Sequence, residues 1–179
     1  MTLLFRFIRV FVSALAFLLV SACVHKSAEN AHEGHHGNEQ KASHHDDNPR
    51  PYDATRDAMF DVNAALNAAQ YSGKKVLLIL GANWCHDSRG LAAKFNEPSL
   101  AAVLEASFET VFVDVGRRDR NLDVGARFGV PELFGTPTVL ILSANGELLN
   151  ADTVHDWRTA DSIPFDETFA YFNDFAERE

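Results

Sequence analysis

Trp84-Cys85-His86-Asp87-Ser88 places a thiol, an imidazole, a carboxylate and a hydroxyl within about one helical turn, directly after the apolar run 76–80. A strand that delivers a cysteine to the first turn of a helix sets the sulfur among unpaired N–H groups at the positive end of the helix dipole. Such a site favours the thiolate, the nucleophilic form of cysteine. Ser88, one turn on, can donate a hydrogen bond to that sulfur, and a protonated His86 would favour its charged form, whereas Asp87 would oppose it. Trp84 reads equally well as a lid over the sulfur or as a core aromatic. A cysteine can also be a small buried hydrophobe, but the strand-to-helix junction argues for reactivity. Later in the chain Gly135-Thr136-Pro137-Thr138 opens a second apolar run. A proline cannot donate to a ladder and so belongs at a strand edge.

Two further groups of residues have chemistry of their own. Cys23 closes the sequence Val20-Ser21-Ala22-Cys23 behind Arg6, Arg9 and an apolar stretch too short to span a membrane. His32, His35, His36, His44 and His45, with Asp46 and Asp47, offer imidazole and carboxylate donors suited to zinc or copper. Arg117, Arg118 and Arg120 form a solvated loop, or alternatively a clamp for the carboxylates of a glutathione-like partner.

The elements that must hold these residues follow from periodicity. Ala58, Met59, Val62, Ala65, Leu66 and Ala69 line one face of a helix that ends at Ser72-Gly73. Residues 76–80 suit the middle of a sheet. Helices are predicted near Cys85 and after Pro98, a strand over 110–115, and a short helix over 122–128 closed by Gly129. Residues 138–142, the turn Asn145-Gly146 and residues 147–150 read as a hairpin. Phe165, Phe169, Phe172 and Ala176 form the inner stripe of a last helix. The first two strands, joined by a right-handed crossover, become parallel neighbours.

Trp-Cys-x-x-Ser after a strand, completed by Gly-Thr-Pro-Thr and Asn-Gly, resembles the thioredoxin superfamily, whose signature is Trp-Cys-x-x-Cys with a later cis-proline beside the sulfur. The resemblance runs from about Asp57 to the final helix and includes Arg89, Phe95, Pro98-Ser99-Leu100 and Phe112-Val113-Asp114-Val115. It implies an α/β thioredoxin-like fold, a four-stranded mixed sheet flanked by helices. It also implies a cis bond before Pro137, with Thr136 presenting backbone groups to an extended substrate beside Cys85. The second cysteine of the motif is Ser88 here, Ile79 stands where the relatives carry a buried acid, and Phe112 where they often carry a lysine. Loss of the resolving sulfur together with its proton acceptor is self-consistent, because a buried acid without a role costs stability. Val20-Ser21-Ala22-Cys23 is similar to the lipobox of bacterial lipoproteins, in which the cysteine is lipidated, and Val24 after it favours the outer membrane over the inner.

The expected organisation is therefore a signal peptide over 1–22, a lipid-anchored histidine-rich tether over 23–51, and a thioredoxin-like domain over 52–179. The tether holds almost nothing apolar and is expected to be disordered. Loss of Arg6 and Arg9 with the leader would take the formal net charge from −9 to −11, which argues against nucleic-acid binding. Only Cys23 and Cys85 carry sulfhydryls, so with Cys23 lipidated no intramolecular disulfide can form. The expected function is envelope-anchored monothiol exchange through Cys85: reduction, isomerisation or deglutathionylation. Its catalytic set is Cys85, Ser88, Trp84 and His86, and its substrate ledge Thr136 and Pro137. Partners would be protein thiols and disulfides or glutathione-type small thiols, an external reductant, and the membrane through the lipid. That chemistry requires no cofactor. The alternatives are a metal-handling protein built on the histidine tract and a redox-silent binding module.

Overall fold

A computed structural model describes residues 48–178. Cys23 and the histidine tract lie outside them, as do the expected leader and most of the tether. Helix α1 spans Ala58–Ser72. It starts at Asp57, whose Oδ1 accepts from the Phe60 N–H at 2.9 Å, and stops at Gly73, in the left-handed region at φ 75°. Its buried residues are Ala58, Val62, Ala65, Leu66 and Ala69, five of the six that helical periodicity places on one face.

Strand β1, Lys75–Gly81, is central. It pairs in parallel with β2, Phe108–Asp114, and antiparallel with β3, Thr138–Leu142. Because β1 is covered on both faces, its side chains divide between two cores by simple alternation. Val76, Leu78 and Leu80 join Val113, Leu140 and Leu142 under α1 and the short helix α4, Leu122–Arg127. Leu77, Ile79, Val139 and Ile141 meet Leu91 and Phe95 of α2 (His86–Phe95) and Leu100 and Leu104 of α3 (Pro98–Ser107). Phe172 and Phe175 of α5, Phe165–Glu177, complete that second core, with Trp157 from the single turn of 3-10 helix Asp156–Thr159. Pro98 opens α3, where its missing N–H costs nothing.

The sheet has three strands in the order β2-β1-β3, not the four expected. The Asn145-Gly146 turn forms: Gly146 lies at φ 83°, and Ser143 N–H donates to Glu147 O at 2.9 Å. Only the bridge between Leu142 and Leu148 follows it. Beyond that point the buried Asn150 side chain does the work of a strand. Its Oδ1 accepts from Ile141 N–H at 2.8 Å and its Nδ2 donates to Val139 O at 3.0 Å. Val139 N–H donates to Val154 O at 3.0 Å, so the outer edge of β3 is satisfied without a fourth ladder.

Candidate functional site

The strand β1 ends at Gly81, and Ala82-Asn83-Trp84 carry the chain up to Cys85, the N-cap of α2. No side chain caps this helix, so the first-turn N–H groups remain directed toward the Cys85 end. Cys85 retains 8 % of its surface exposed, while Trp84 beside it is 55 % exposed. The Thr136–Pro137 peptide bond is cis. Cys85 Sγ donates to the Thr136 carbonyl oxygen at 3.2 Å. That hydrogen bond belongs to the thiol, because a carbonyl oxygen only accepts. The sulfur stands at the N-terminus of α2, the positive end of the helix dipole.

Trp84 is a rim residue rather than a core aromatic. Its indole N–H donates to Gly116 O at 2.8 Å, and the Arg117 guanidinium sits 5.9 Å from the ring centroid. It borders a cleft of about 420 Å³ shared with Tyr52, Asn83, Asp114, Arg117 and Arg120. The loop arginines are engaged within the protein. Arg120 pairs with Asp114 at 3.2 Å, and Arg118 Nη1 donates to Leu133 O at 3.4 Å. The second opening, about 280 Å³, lies between Phe134, Val154 and His155, two residues along the chain from Thr136.

His86 is drawn away from the sulfur by two carboxylates. Its Nε2 lies 3.0 Å from Asp161 Oδ2, and its Nδ1 lies 3.4 Å from Asp87 Oδ2. Asp161 is brought in by its own turn: its N–H donates to Asp87 Oδ1 at 3.1 Å, and Lys94 Nζ donates to the carbonyls of Ala160 and Ile163. Burial of the Lys94 ammonium pushes its pKa down, with Asp161 and Asp87 acting against that shift. Gly90 makes this approach feasible, because a β-carbon there would lie 2.5 Å from Asp161 Oδ1.

Ser88 is fully buried. Its Oγ accepts from Ala82 N–H at 3.4 Å and its backbone carbonyl accepts from the Tyr52 hydroxyl at 3.4 Å, while the Cys85 sulfur, which the sequence suggests as the partner of the Ser88 hydroxyl, bonds to Thr136 O instead. Tyr52, 2 % exposed, is held in place by Asn83. Tyr52 N–H donates to Asn83 Oδ1 at 3.2 Å, and Asn83 Nδ2 donates back to Tyr52 O at 2.6 Å. Burial pushes the Tyr52 phenol well above its usual range. The Ser88 hydrogen bond opposes this, and the charge of an ionised Cys85 adds to it.

The structure therefore brings Cys85, Ser88, Trp84, Thr136 and Pro137 to the end of the sheet formed by Gly81 and Thr138, with His86 on the outer side. Tyr52, Asn83 and Asp161 escape the sequence reading. Gly90 inside a helix is the one local signal for a close contact there. Among the described residues Cys85 is the sole free cysteine, and no cluster of acidic, histidine or cysteine side chains could hold a metal ion.

One family model and one solved structure agree with this geometry. Residues 57–144 match a family model described as thioredoxin-like. The crystal structure of a disulphide isomerase from Xylella fastidiosa Temecula1 superimposes with a TM-score of 0.68 at 31 % identity, covering 72 % of this chain and 98 % of that one. A protein of unknown function from Pseudomonas aeruginosa is 16 % identical over 66 % of this chain and 78 % of its own, with a TM-score of 0.36. No curated protein matches the chain.

Proposed function

Because the chain belongs to the thioredoxin-like family, we propose that it is a monothiol thiol–disulfide exchange protein acting through Cys85. The observation that carries this reading is the Cys85 sulfur at the N-terminus of α2, 3.2 Å from the carbonyl of the residue before Pro137. When a substrate segment engages Thr136 O, the thiol loses its acceptor and the helix N–H groups remain to hold the thiolate. The thiolate attacks one sulfur of a substrate disulfide. The S–S bond breaks, its electron pair leaves on the second sulfur, and that thiolate takes a proton from solvent. Cys85 is then in a mixed disulfide. With Ser88 in place of a resolving cysteine, another thiol attacks next. A thiol of the substrate that attacks the substrate sulfur regenerates Cys85 and leaves a rearranged disulfide, which is isomerisation. Net reduction takes two external small thiols: the first attacks the Cys85 sulfur and releases the substrate thiol, and the second releases Cys85 as the two external thiols become a disulfide. The disulphide isomerase of Xylella fastidiosa supports isomerisation.

The test is isolation from oxidised envelope extract without reductant, followed by identification of adducts. Disulfide-linked proteins released by dithiothreitol, and absent from Cys85→Ala, are expected. A Cys85→Ala protein that keeps full biological function would instead make the fold a redox-silent binding module. We also propose export as a lipoprotein, anchored through Cys23 and facing the periplasm, with the outer membrane favoured. Labelled palmitate should enter the intact protein and not Cys23→Ser, and equal labelling of both would remove the anchor.

A further inference from the structure

The turn after β2 carries Arg117, Arg118 and Arg120, and the last two are spent inside the protein. Arg120 pairs with Asp114 at 3.2 Å, and Arg118 Nη1 donates to Leu133 O at 3.4 Å. Asp119 serves the main chain, its Oδ1 accepting from the Arg117 N–H at 2.9 Å. The Arg117 guanidinium has no carboxylate or carbonyl partner among the described residues, and it stands 5.9 Å from the centroid of the Trp84 ring. An indole N–H only donates, so the guanidinium donors remain for an incoming acceptor. Gly116 fixes this placement. It lies at φ 56°, where a β-carbon would come within 2.2 Å of Asp119 Oδ1, and its carbonyl accepts from the Trp84 indole N–H at 2.8 Å. Turn and ring are thus held to each other, and the ring belongs to the exposed residue next to Cys85. Trp84, Asn83 and Arg117 all border the cleft of about 420 Å³.

We propose that Arg117, held against Trp84, is a subsite for a carboxylate, and that the external thiol acting on Cys85 is a small, peptide-like thiol of negative charge. This rests on the reading of Cys85 as the exchange nucleophile. A guanidinium presents a planar fork of donors that matches a carboxylate, and its charge never titrates away. Arg117 reaches the neighbour of Cys85 rather than Cys85 itself, so the carboxylate it holds stands several bonds from the reacting sulfur. The whole chain carries a formal net charge of −9 and repels anions at long range. Preference for an anionic thiol therefore has to come from a local cation such as this one. The external thiol attacks the Cys85 sulfur of the mixed disulfide while its carboxylate rests on Arg117. The bond to the substrate sulfur breaks, and the substrate leaves as a thiolate that takes a proton from solvent.

The experiment measures how fast Cys85, in the full chain carrying Cys23→Ser, forms a mixed disulfide with glutathione disulfide and with the neutral hydroxyethyl disulfide. In both cases the Cys85 thiolate attacks one sulfur and the other leaves as a thiolate. The ratio of the two rates cancels the intrinsic nucleophilicity of Cys85. Arg117→Gln is expected to lower that ratio about threefold, the size of an exposed ion pair, and Arg117→Lys, which keeps the charge without the fork, to restore part of it. An unchanged ratio in Arg117→Gln overturns the inference, including the case where both rates fall together, since that marks Arg117 as a support for the turn. A Cys85 that reacts with neither disulfide removes the exchange function instead. S-methylglutathione, which cannot exchange, then decides the subsite alone. Its binding, followed by tryptophan fluorescence, should weaken about threefold in Arg117→Gln. Equal binding to both proteins, or binding to neither, overturns the inference.

Discussion

His155 has the clearest pH signature among the individual side chains. Burial lowers its pKa, the neighbouring Arg158 lowers it further, and Asp156 opposes both. Its Nδ1 is buried without a hydrogen-bond partner, and its ring packs on Phe134 with centroids 4.7 Å apart. The unfolded chain therefore binds the His155 proton more readily than the folded chain does. The stability contributed by neutral His155 is present above the ordinary histidine range near pH 6.5 and is lost as the pH falls through it. Urea unfolding midpoints should drop between pH 7.5 and 5.5 more steeply in the native protein than in His155→Phe, which keeps the ring contact. Equal slopes would show that the imidazole is not desolvated. Cys85 makes the opposite point, because its surroundings decide reactivity rather than stability. The motif Trp84-Cys85-x-x-Ser88 was legible in the sequence because it is local. Tyr52 and Asp161 were not, because they reach the turn before α2 and α2 itself from more than thirty and more than seventy residues away, and Asn83 was not, because the partner that gives it a role is the distant Tyr52.

The elements divide the same way. Helix α1 and strand β1 are written in the chain by period, and both formed where the apolar pattern placed them. The hairpin failed past its turn for a reason that no periodicity carries. An amide side chain has the same donor and acceptor as a peptide unit, and Asn150 spends both on β3. It also donates to the Tyr171 hydroxyl at 3.1 Å, which ties α5 to this edge. Asn150→Ala should destabilise the domain by about 2–3 kcal/mol, because it strands a buried N–H and a buried carbonyl. Chemical denaturation measures this. A loss under about 0.5 kcal/mol would mean that water or a shifted backbone replaces the amide. Helix α2 relies on tertiary support of another kind. Lys94 anchors the 160–163 turn from its last turn, and Gly90 lets Asp161 close on its first.

In the molecule as a whole, both cores close on one strand. Every residue of β1 from Val76 to Leu80 is fully buried, and the described domain holds together with a single thiol and no cystine. Fold class was readable because a continuous apolar run, a parallel crossover and amphipathic helices leave few ways to pack. The reactive centre was half readable: its sulfur and proline announce themselves in sequence, but the phenol beneath them does not. One contact at each end of the domain has a practical outcome. Arg50 donates to Asn83 O at 3.0 Å, beside the reactive turn, whereas Lys75 Nζ donates to Arg178 O at 2.5 Å, at the far end of β1 and roughly 20 Å off. A bulky fusion or a resin attached directly ahead of Arg50 would stand on the side of the sulfur, and a handle placed after the last helix would leave that side open.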